Sequence, residues 1–478
     1  MLEQKDFGLE KLGSLKLFPS GEIGDSPIGI GFECLDREMF DPERCYDLLA
    51  AAGVKWARCQ TGWCRCETSR GRYDFAWLDA IVDNLLSRGI QPWFNVGFGN
   101  RLYMENVYSD AAVGCVPLYY GEEAFLAWLN FVTALARRYR GRVSEFEIWN
   151  EPDSGNFWQP RKPDPEEYAR LIHLTGEAIR AVYPEARIGG CISRAINEFA
   201  IRLFRSGIVR ELDFFSIHPY GVQPELHCRQ AVEWLRRTLD ENGGRKVELR
   251  QGESGYASWF PENHWLGVYV TESERNQAVW MLRRYFTDLS LGMTRSTFFQ
   301  TVDMMGREYR LSNVTRKNPA RHGILNGLTY TPKLSYCTMR NLATFFADGM
   351  KPASLYAALY LDEAFPRRER HSRLRDMAVQ VNPFVRDGYP FFAYHLAEDM
   401  QYGFPGVSPV FLSAELHPEL RRIRNPVLLD MLTGNVFRLQ DWSVGDAGVL
   451  YAFSGLPLTD YPLVVCDESA VAWRAGAE

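Results

Sequence analysis

Long apolar runs are missing from this chain of 478 residues, and no stretch approaches the roughly 20 uninterrupted apolar residues that a membrane-spanning helix needs. The first eighteen residues, MLEQKDFGLEKLGSLKLF, carry charges at short intervals and lack the apolar centre of a secretory signal. Histidine is scarce at eight residues, and none stands in an H-x-H or H-E-x-x-H arrangement. No metal-ligand set is therefore expected, and no cofactor. The ten cysteines are scattered, the closest pair being Cys64 and Cys66, with no C-x-x-C spacing. Without a signal segment, reduced thiols and a cytoplasmic location are the expectation. A G-x-S-x-G nucleophile elbow is absent, which argues against a serine esterase. Charge of one sign is also in short supply: the net value is only −6, so neither nucleic acid nor an anionic membrane is an expected partner. A homo-oligomer is left open.

What is present is the ordinary balance of a globular enzyme, with 46% hydrophobic and 24% charged residues. Aromatics reach 14%, which suits both large cores and the stacking of sugar faces on rings. From about residue 28 to 348, short apolar runs alternate with amphipathic stretches, the pattern of repeated βα units. Helix starts are clear. Asp41-Pro42-Glu43 and Asp164-Pro165-Glu166-Glu167 each place a capping acid before a proline at the first helical position. Thr271 with Glu274 predicts another cap, and Ala76–Ser87 predicts a helix burying Leu78, Ile81, Val82 and Leu85. Eight strands are expected between the helices: Ile28–Phe32, Val54–Cys59, Gln91–Val96, Val143–Trp149, Ala186–Cys191, Leu212–Ile217, Lys246–Gln251 and Ser296–Thr301. Eight such units predict a (β/α)8 barrel. A doubly wound sheet would call for a G-x-G-x-x-G turn after the first strand, and none is found. Beyond residue 349 the helical period fades into short β-rich pieces separated by Asp387-Gly388 and Thr433-Gly434-Asn435 turns. They predict a C-terminal β-sandwich at 349–478, which residues 1–27 could join. The basic segment Arg367 to Arg375 reads as a solvated loop.

Two carboxylates carry the chemistry. Glu151 lies in Glu145-Phe-Glu-Ile-Trp-Asn-Glu-Pro-Asp153, where the fourth strand ends at the face on which barrel enzymes hold their active sites. Charged residues in a strand buried on both sides are costly unless paired or used. Trp149 and Asn150 offer a wall and a hydrogen-bonding group beside the Glu151 carboxyl. Glu253, in Gln251-Gly-Glu-Ser-Gly255, ends the seventh strand among small residues that let a ligand or backbone approach. Either acid alone reads as a capping or solvated side chain. Together across a barrel mouth they fit glycoside cleavage, which needs one carboxyl protonated and a second ionised.

The string Trp149-Asn150-Glu151-Pro152 after strand four, with Glu253 closing strand seven, resembles the signature of clan A glycoside hydrolases. The longer form Phe146-Glu-Ile-Trp-Asn-Glu-Pro-Asp153 is most similar to family 39, which includes β-xylosidases and α-L-iduronidases. The resemblance covers about residues 28–348. It implies the same barrel with a β-sandwich attached, and a retaining double displacement in which Glu151 is acid/base and Glu253 nucleophile. It also implies that Asn150 meets the sugar 2-hydroxyl and that Arg58 stands near the nucleophile, although Arg58 could instead pair with Glu145 or Glu147 inside the barrel. Tyr220 would hydrogen-bond the nucleophile and His218 a sugar hydroxyl, unless the two form a packed aromatic pair. Where many clan members place a Trp on strand eight, this chain has Phe298-Phe299-Gln300-Thr301, so Phe299 or Gln300 would replace that platform. Among the loop aromatics, Trp63 is the candidate for stacking on substrate, with Trp93, Asn95, Tyr119, Trp158 and Trp259 nearby in the reading. The substrate expected is the terminal sugar of small oligosaccharides or glycosides, held in a pocket closed at one end. The rival is a carbohydrate-binding barrel without turnover.

Overall fold

The structure, a computed structural model, describes residues 7–107, 109, 111–221, 223–259, 273–305, 320–361, 379–397, 408–445 and 447–475. Eight parallel strands close into a barrel: β1 (Ile28–Gly31), β2 (Trp56–Gln60), β3 (Gln91–Val96), β4 (Glu145–Ile148), β5 (Arg187–Ile192), β6 (Phe214–Ile217), β7 (Glu248–Ser254) and β8 (Ser296–Phe298). Closure is made by β8 pairing with β1 at Ser296–Ile28 and Phe298–Ile30. The helices α1 (Tyr46–Ala52), α2 (Trp63–Cys66), α3 (Ala76–Ser87), α4 (Glu122–Tyr139), α5 (Pro165–Val182), α6 (Glu198–Arg205), α7 (Pro224–Glu241), α8 (Glu274–Ser290) and α9 (Leu334–Phe345) fill the crossovers.

Local chemistry explains several of these boundaries. The Asp164 carboxylate accepts from the backbone N–H of Glu166 (3.0 Å) and Glu167 (3.1 Å), satisfying two of the free donors at the start of α5. Asp164→Ala should therefore lower stability by about 1 kcal/mol, read as a shift of the urea midpoint without a change in slope. Pro42 opens only a 3-10 turn, Pro42–Arg44, before α1 begins at Tyr46. Thr271 lies outside the described residues; the cap of α8 is Ser273, whose hydroxyl accepts from Asn276 N–H at 3.0 Å.

The barrel interior is polar in two layers with an aromatic layer between them. Toward the strand N-termini, Glu145 accepts from Arg250 (2.7 and 2.9 Å), Arg295 (2.6 Å) and Arg187 (3.1 Å). Burial opposes its ionisation, but Arg295 and Arg250 outweigh it and hold the carboxyl down to about 2. Trp93 spans the middle, edge-on to Phe214 at 5.7 Å and flanked by the guanidinium groups of Arg58, Arg250 and Arg295. Gly189 makes room for Phe214: a Cβ there would stand 2.1 Å from the ring. The layer above, around Arg58, is the floor of the site.

The remaining strands form two antiparallel sheets. The larger runs Lys351–Pro352, Val379–Arg386, Tyr389–Leu396, Leu463–Asp467, Pro426–Asp430, Asn435–Arg438, Lys11–Leu15, Trp473–Ala475. The smaller runs Ala357–Leu361, Ser408–Glu415, Leu450–Leu458, Trp442–Val444. Phe286, Phe345 and Phe346 of the barrel helices pack edge-on against Phe384 and Phe391 of the larger sheet. Two polar contacts cross the same boundary, a buried hydrogen bond between His395 and Glu225 (2.8 Å) and a part-buried ion pair of Arg275 with Asp460 (2.6 Å). The basic segment Arg367 to Arg375 lies outside the described residues. Among the described residues no helix is long and apolar enough to cross a membrane.

Candidate active site

The end of β4 delivers Glu151 by an unusual backbone. Trp149 and Glu151 adopt left-handed conformations, with φ of 68° and 42° on either side of Asn150. Such angles cost a non-glycine residue energy, and they persist only where the surroundings enforce them. Here α5 and the following loop do so. The Tyr168 hydroxyl donates to Ile148 C=O at 2.6 Å, Asn95 donates to Trp149 C=O at 2.6 Å, and the Trp149 indole N–H donates to Phe157 C=O at 2.6 Å. Asp153 pins the loop from the far side, accepting from Ser193 N–H, Ser193 Oγ and Asn197 Nδ2 at 2.7–2.9 Å.

Across the mouth, β7 ends at Glu253 and Ser254. Gly255 is required next, because a Cβ would fall 2.0 Å from the Phe299 carbonyl oxygen of the neighbouring strand end. Glu253 and Glu151 meet around His218 from the end of β6. His218 Nδ1 lies 3.0 Å from Glu151 Oε1 and 3.9 Å from Glu253 Oε2, and the three side chains bring one polar atom each within 4.8 Å of the others. Tyr220, an exposed residue, has its hydroxyl donating to Glu253 Oε1 at 2.8 Å.

Beneath the pair lies Arg58, fully buried in the middle of β2. Its Nη1 donates to Glu253 Oε2 (2.8 Å) and Glu33 Oε2 (2.9 Å). Its Nε and Nη2 share Glu147 Oε1 (3.0 and 2.6 Å), and Nη2 also reaches Asn150 Oδ1 (2.8 Å). Ser216 donates to the other Glu147 oxygen. The electrostatics divide the two mouth carboxyls. Burial raises Glu151 above the usual carboxylate range, and the charges of Glu253 and Asp153 add to that effect, outweighing its bond to His218. Burial acts on Glu253 too, but His218, Arg58 and the Tyr220 hydroxyl together hold it below that range. His218 is itself raised: desolvation opposes its charge, while Glu253 and the bond to Glu151 more than compensate. The surroundings thus favour the protonated forms of Glu151 and His218 and the ionised form of Glu253.

The structure brings Glu151, Glu253, Asn150, Arg58, His218 and Tyr220 into one cluster. Arg58 serves the mouth and Glu147 at once, and Glu145 belongs to the lower layer instead. His218 uses Nδ1 on the Glu151 carboxyl, and its Nε2 is buried without a hydrogen-bond partner. Three tryptophans are corrected. Trp63 is fully buried, stacked between Tyr103 and Phe131 with its N–H on Glu67 (2.6 Å), and presents no face to a ligand. Trp149 is likewise enclosed by Phe98, Trp128 and Trp158, so it supports the strand end and forms no wall. Trp158 is buried with its N–H on Tyr119. Asn95 and Trp93 are interior groups. Phe299 is half-buried at the end of β8, its ring edge-on to His322 at 5.9 Å, and Gln300 is buried behind it. Sequence reasoning missed Glu33; its only signal was an acid two residues past the end of a buried strand.

Residues 53–248 match the model of glycosyl hydrolases family 39. Over that segment the chain is similar to that family. It is 27% identical over 164 residues to a β-xylosidase of Geobacillus stearothermophilus, 31% of each chain, and 28% identical over 134 residues to the α-L-iduronidase of Homo sapiens, 26% of this chain and 18% of that protein. The aligned segment thus spans less than a third of these relatives. In fold, the family 39 glycoside hydrolase of Bacteroides cellulosilyticus WH2 superposes with a TM-score of 0.65 at 18% identity, covering 92% of this chain and 81% of that one. This family 39-like chain places Glu151 and Glu253 within the barrel and Glu253 just past the matched segment.

Proposed function

We propose that the protein is a retaining glycoside hydrolase that removes a terminal sugar from small oligosaccharides or glycosides through a glycosyl-enzyme. One observation carries this reading: two carboxyls with opposite protonation tendencies face each other at the mouth, with oxygens within 4.8 Å. Such a close approach fits the shorter of the two carboxyl separations, roughly 5–5.5 Å, that belongs to retaining enzymes. In the first step Glu253 attacks the anomeric carbon while Glu151 gives its proton to the departing oxygen. In the second, Glu151 takes a proton from water, which attacks the same carbon and releases Glu253. Arg58 and Tyr220 keep Glu253 ionised and aimed. Asn150, whose oxygen Arg58 holds, has its NH2 to offer the 2-hydroxyl.

We assign the chemistry to the barrel at 28–348, with 349–478 as an accessory β-sandwich that residues 1–27 extend. The substrate names of the relatives direct the choice of probes to xylosides and uronides. A cytoplasmic location is part of the proposal, supported by ten cysteines of which none is bonded to another.

The test is a panel of aryl glycosides across xylose, glucose, galactose, arabinose, fucose and uronic acids, with the anomer of the first-formed product read by NMR. Turnover with retention is expected. Inverted product, or binding without turnover on every member, would refute the reading. For the active substrate, kcat/KM should be bell-shaped in pH. It falls on the acid side below the ordinary carboxylate range, where Glu253 takes up a proton. On the alkaline side it falls above that range, where Glu151 loses its own.

A further inference from the structure

Glu33 is a third acid of the mouth that the double displacement does not use. It follows β1 by two residues, on the same barrel face as Glu151 and Glu253, and its side chain is 1% exposed. Its Oε2 is taken by Arg58, on the same Nη1 that serves Glu253. Its Oε1 is buried and meets no hydrogen-bond partner. Beside it lies Gln300, buried at the end of β8, whose amide oxygen and nitrogen both lack partners. Gly31 shows how close the two are to one strand end: a Cβ there would stand 3.0 Å from Glu33 Oε1 and 3.4 Å from Gln300 Cβ. Buried polar groups are rarely left unpaired, because the lost hydration is not recovered. Three such atoms on adjoining side chains at the site's edge point to a ligand that both donates and accepts.

Accepting the glycosidase reading of this site, we propose that Glu33 and Gln300 form a specificity wall that contacts the glycone directly, the free Glu33 carboxyl oxygen and the Gln300 amide hydrogen-bonding its ring hydroxyls. The charge balance around Glu33 says which form takes part. Arg58 from β2 faces Glu33, Glu147 from β4 and Glu253 from β7, and His218 from β6 adds a second positive group. Burial, reinforced by Glu253, pushes the Glu33 carboxyl up to about 8 despite Arg58. At neutral pH it is therefore an acid with an O–H to give, and a hydroxyl oxygen is the acceptor a sugar brings. Because the acid is neutral, it meets the sugar without adding a further negative charge beside the ionised Glu253.

The experiment uses the 4-nitrophenyl glycoside turned over fastest in the panel and its 2-, 3- and 4-deoxy analogues. On the parent substrate Glu33→Ala and Gln300→Ala should each lower kcat/KM by roughly tenfold or more. On one deoxy analogue the same substitution should cost almost nothing, because the hydroxyl it served is already gone. Glu33→Gln, which keeps a neutral donor of the same shape, should stay within about threefold of wild type on the parent and should fold even if Glu33→Ala does not. Equal losses on every analogue for both Glu33→Ala and Gln300→Ala would overturn the wall. So would a Glu33→Gln variant as damaged as the alanine form. Failure of the underlying reading looks different: wild type itself would then turn over no member of the panel.

Discussion

Replacing Arg58 by methionine should cost the protein both its activity and a large part of its stability. The guanidinium is completely buried and gives five hydrogen bonds, two to Glu147 and one each to Glu33, Glu253 and Asn150. A buried cation of this kind gains little over a well-packed apolar side chain when the whole cluster is exchanged. Removing it alone strands its partners, at about 3–5 kcal/mol. Three carboxyls would then share the floor with His218 as their remaining positive neighbour, so Glu253 would take up a proton and cease to be a nucleophile. A fall in kcat on the order of 10²–10³ is expected from losing one such preorganised donor, together with a lower urea midpoint. Arg58→Lys should fall between, since an ammonium keeps the charge and loses the fork that spans Glu147 and Glu253. A methionine variant with the wild-type midpoint and turnover would mean that Glu253 is ionised by something else.

The contrast between Arg58 and Trp63 shows what the sequence could and could not reveal. The barrel was legible because its parts are local: Gln91–Val96 is a strand and Ala76–Ser87 a helix at the very residues their periodicity predicts. The acid of Asn150-Glu151-Pro152 was legible because a charge at the end of a buried strand demands a partner or a use. Aromatic side chains carry no such demand. Trp63, Trp149 and Trp158 sit as comfortably in a core as under a sugar, and all three are in the core. Strand Lys11–Leu15 was only a possibility in the sequence, since its partners at 435–438 and 473–475 lie more than 400 residues away and its half-polar KLGSL pattern marks no face. Glu33 was invisible for a related reason. Its meaning comes from Arg58, Glu253 and Gln300, which only barrel closure brings beside it.

The two mouth carboxyls should answer differently to removal. Glu253→Ala should abolish hydrolysis of every glycoside, because without the nucleophile no covalent intermediate forms. Glu151→Ala should depend on the leaving group. General acid assistance matters in proportion to the basicity of the departing oxygen, usually by about 10²–10⁴-fold. A dinitrophenyl glycoside, whose leaving group needs little help, should still load Glu253, whereas one with a poor leaving group should not react. Release of the sugar would then be slow, since the base that activates water is gone, and the intermediate should accumulate as a burst of phenolate. Azide needs no base and is small enough for the space the side chain vacates, so it should restore turnover and leave the glycosyl azide with retained configuration. His218 makes the comparison sharper. Its Nδ1 bonds Glu151, so in Glu151→Ala its nearest carboxylate becomes Glu253 at 3.9 Å, and the nucleophile should stay ionised throughout. If azide instead rescues Glu253→Ala with retention and leaves Glu151→Ala inert, the two roles are interchanged. If neither substitution changes turnover of an established substrate, the reaction lies elsewhere in the barrel.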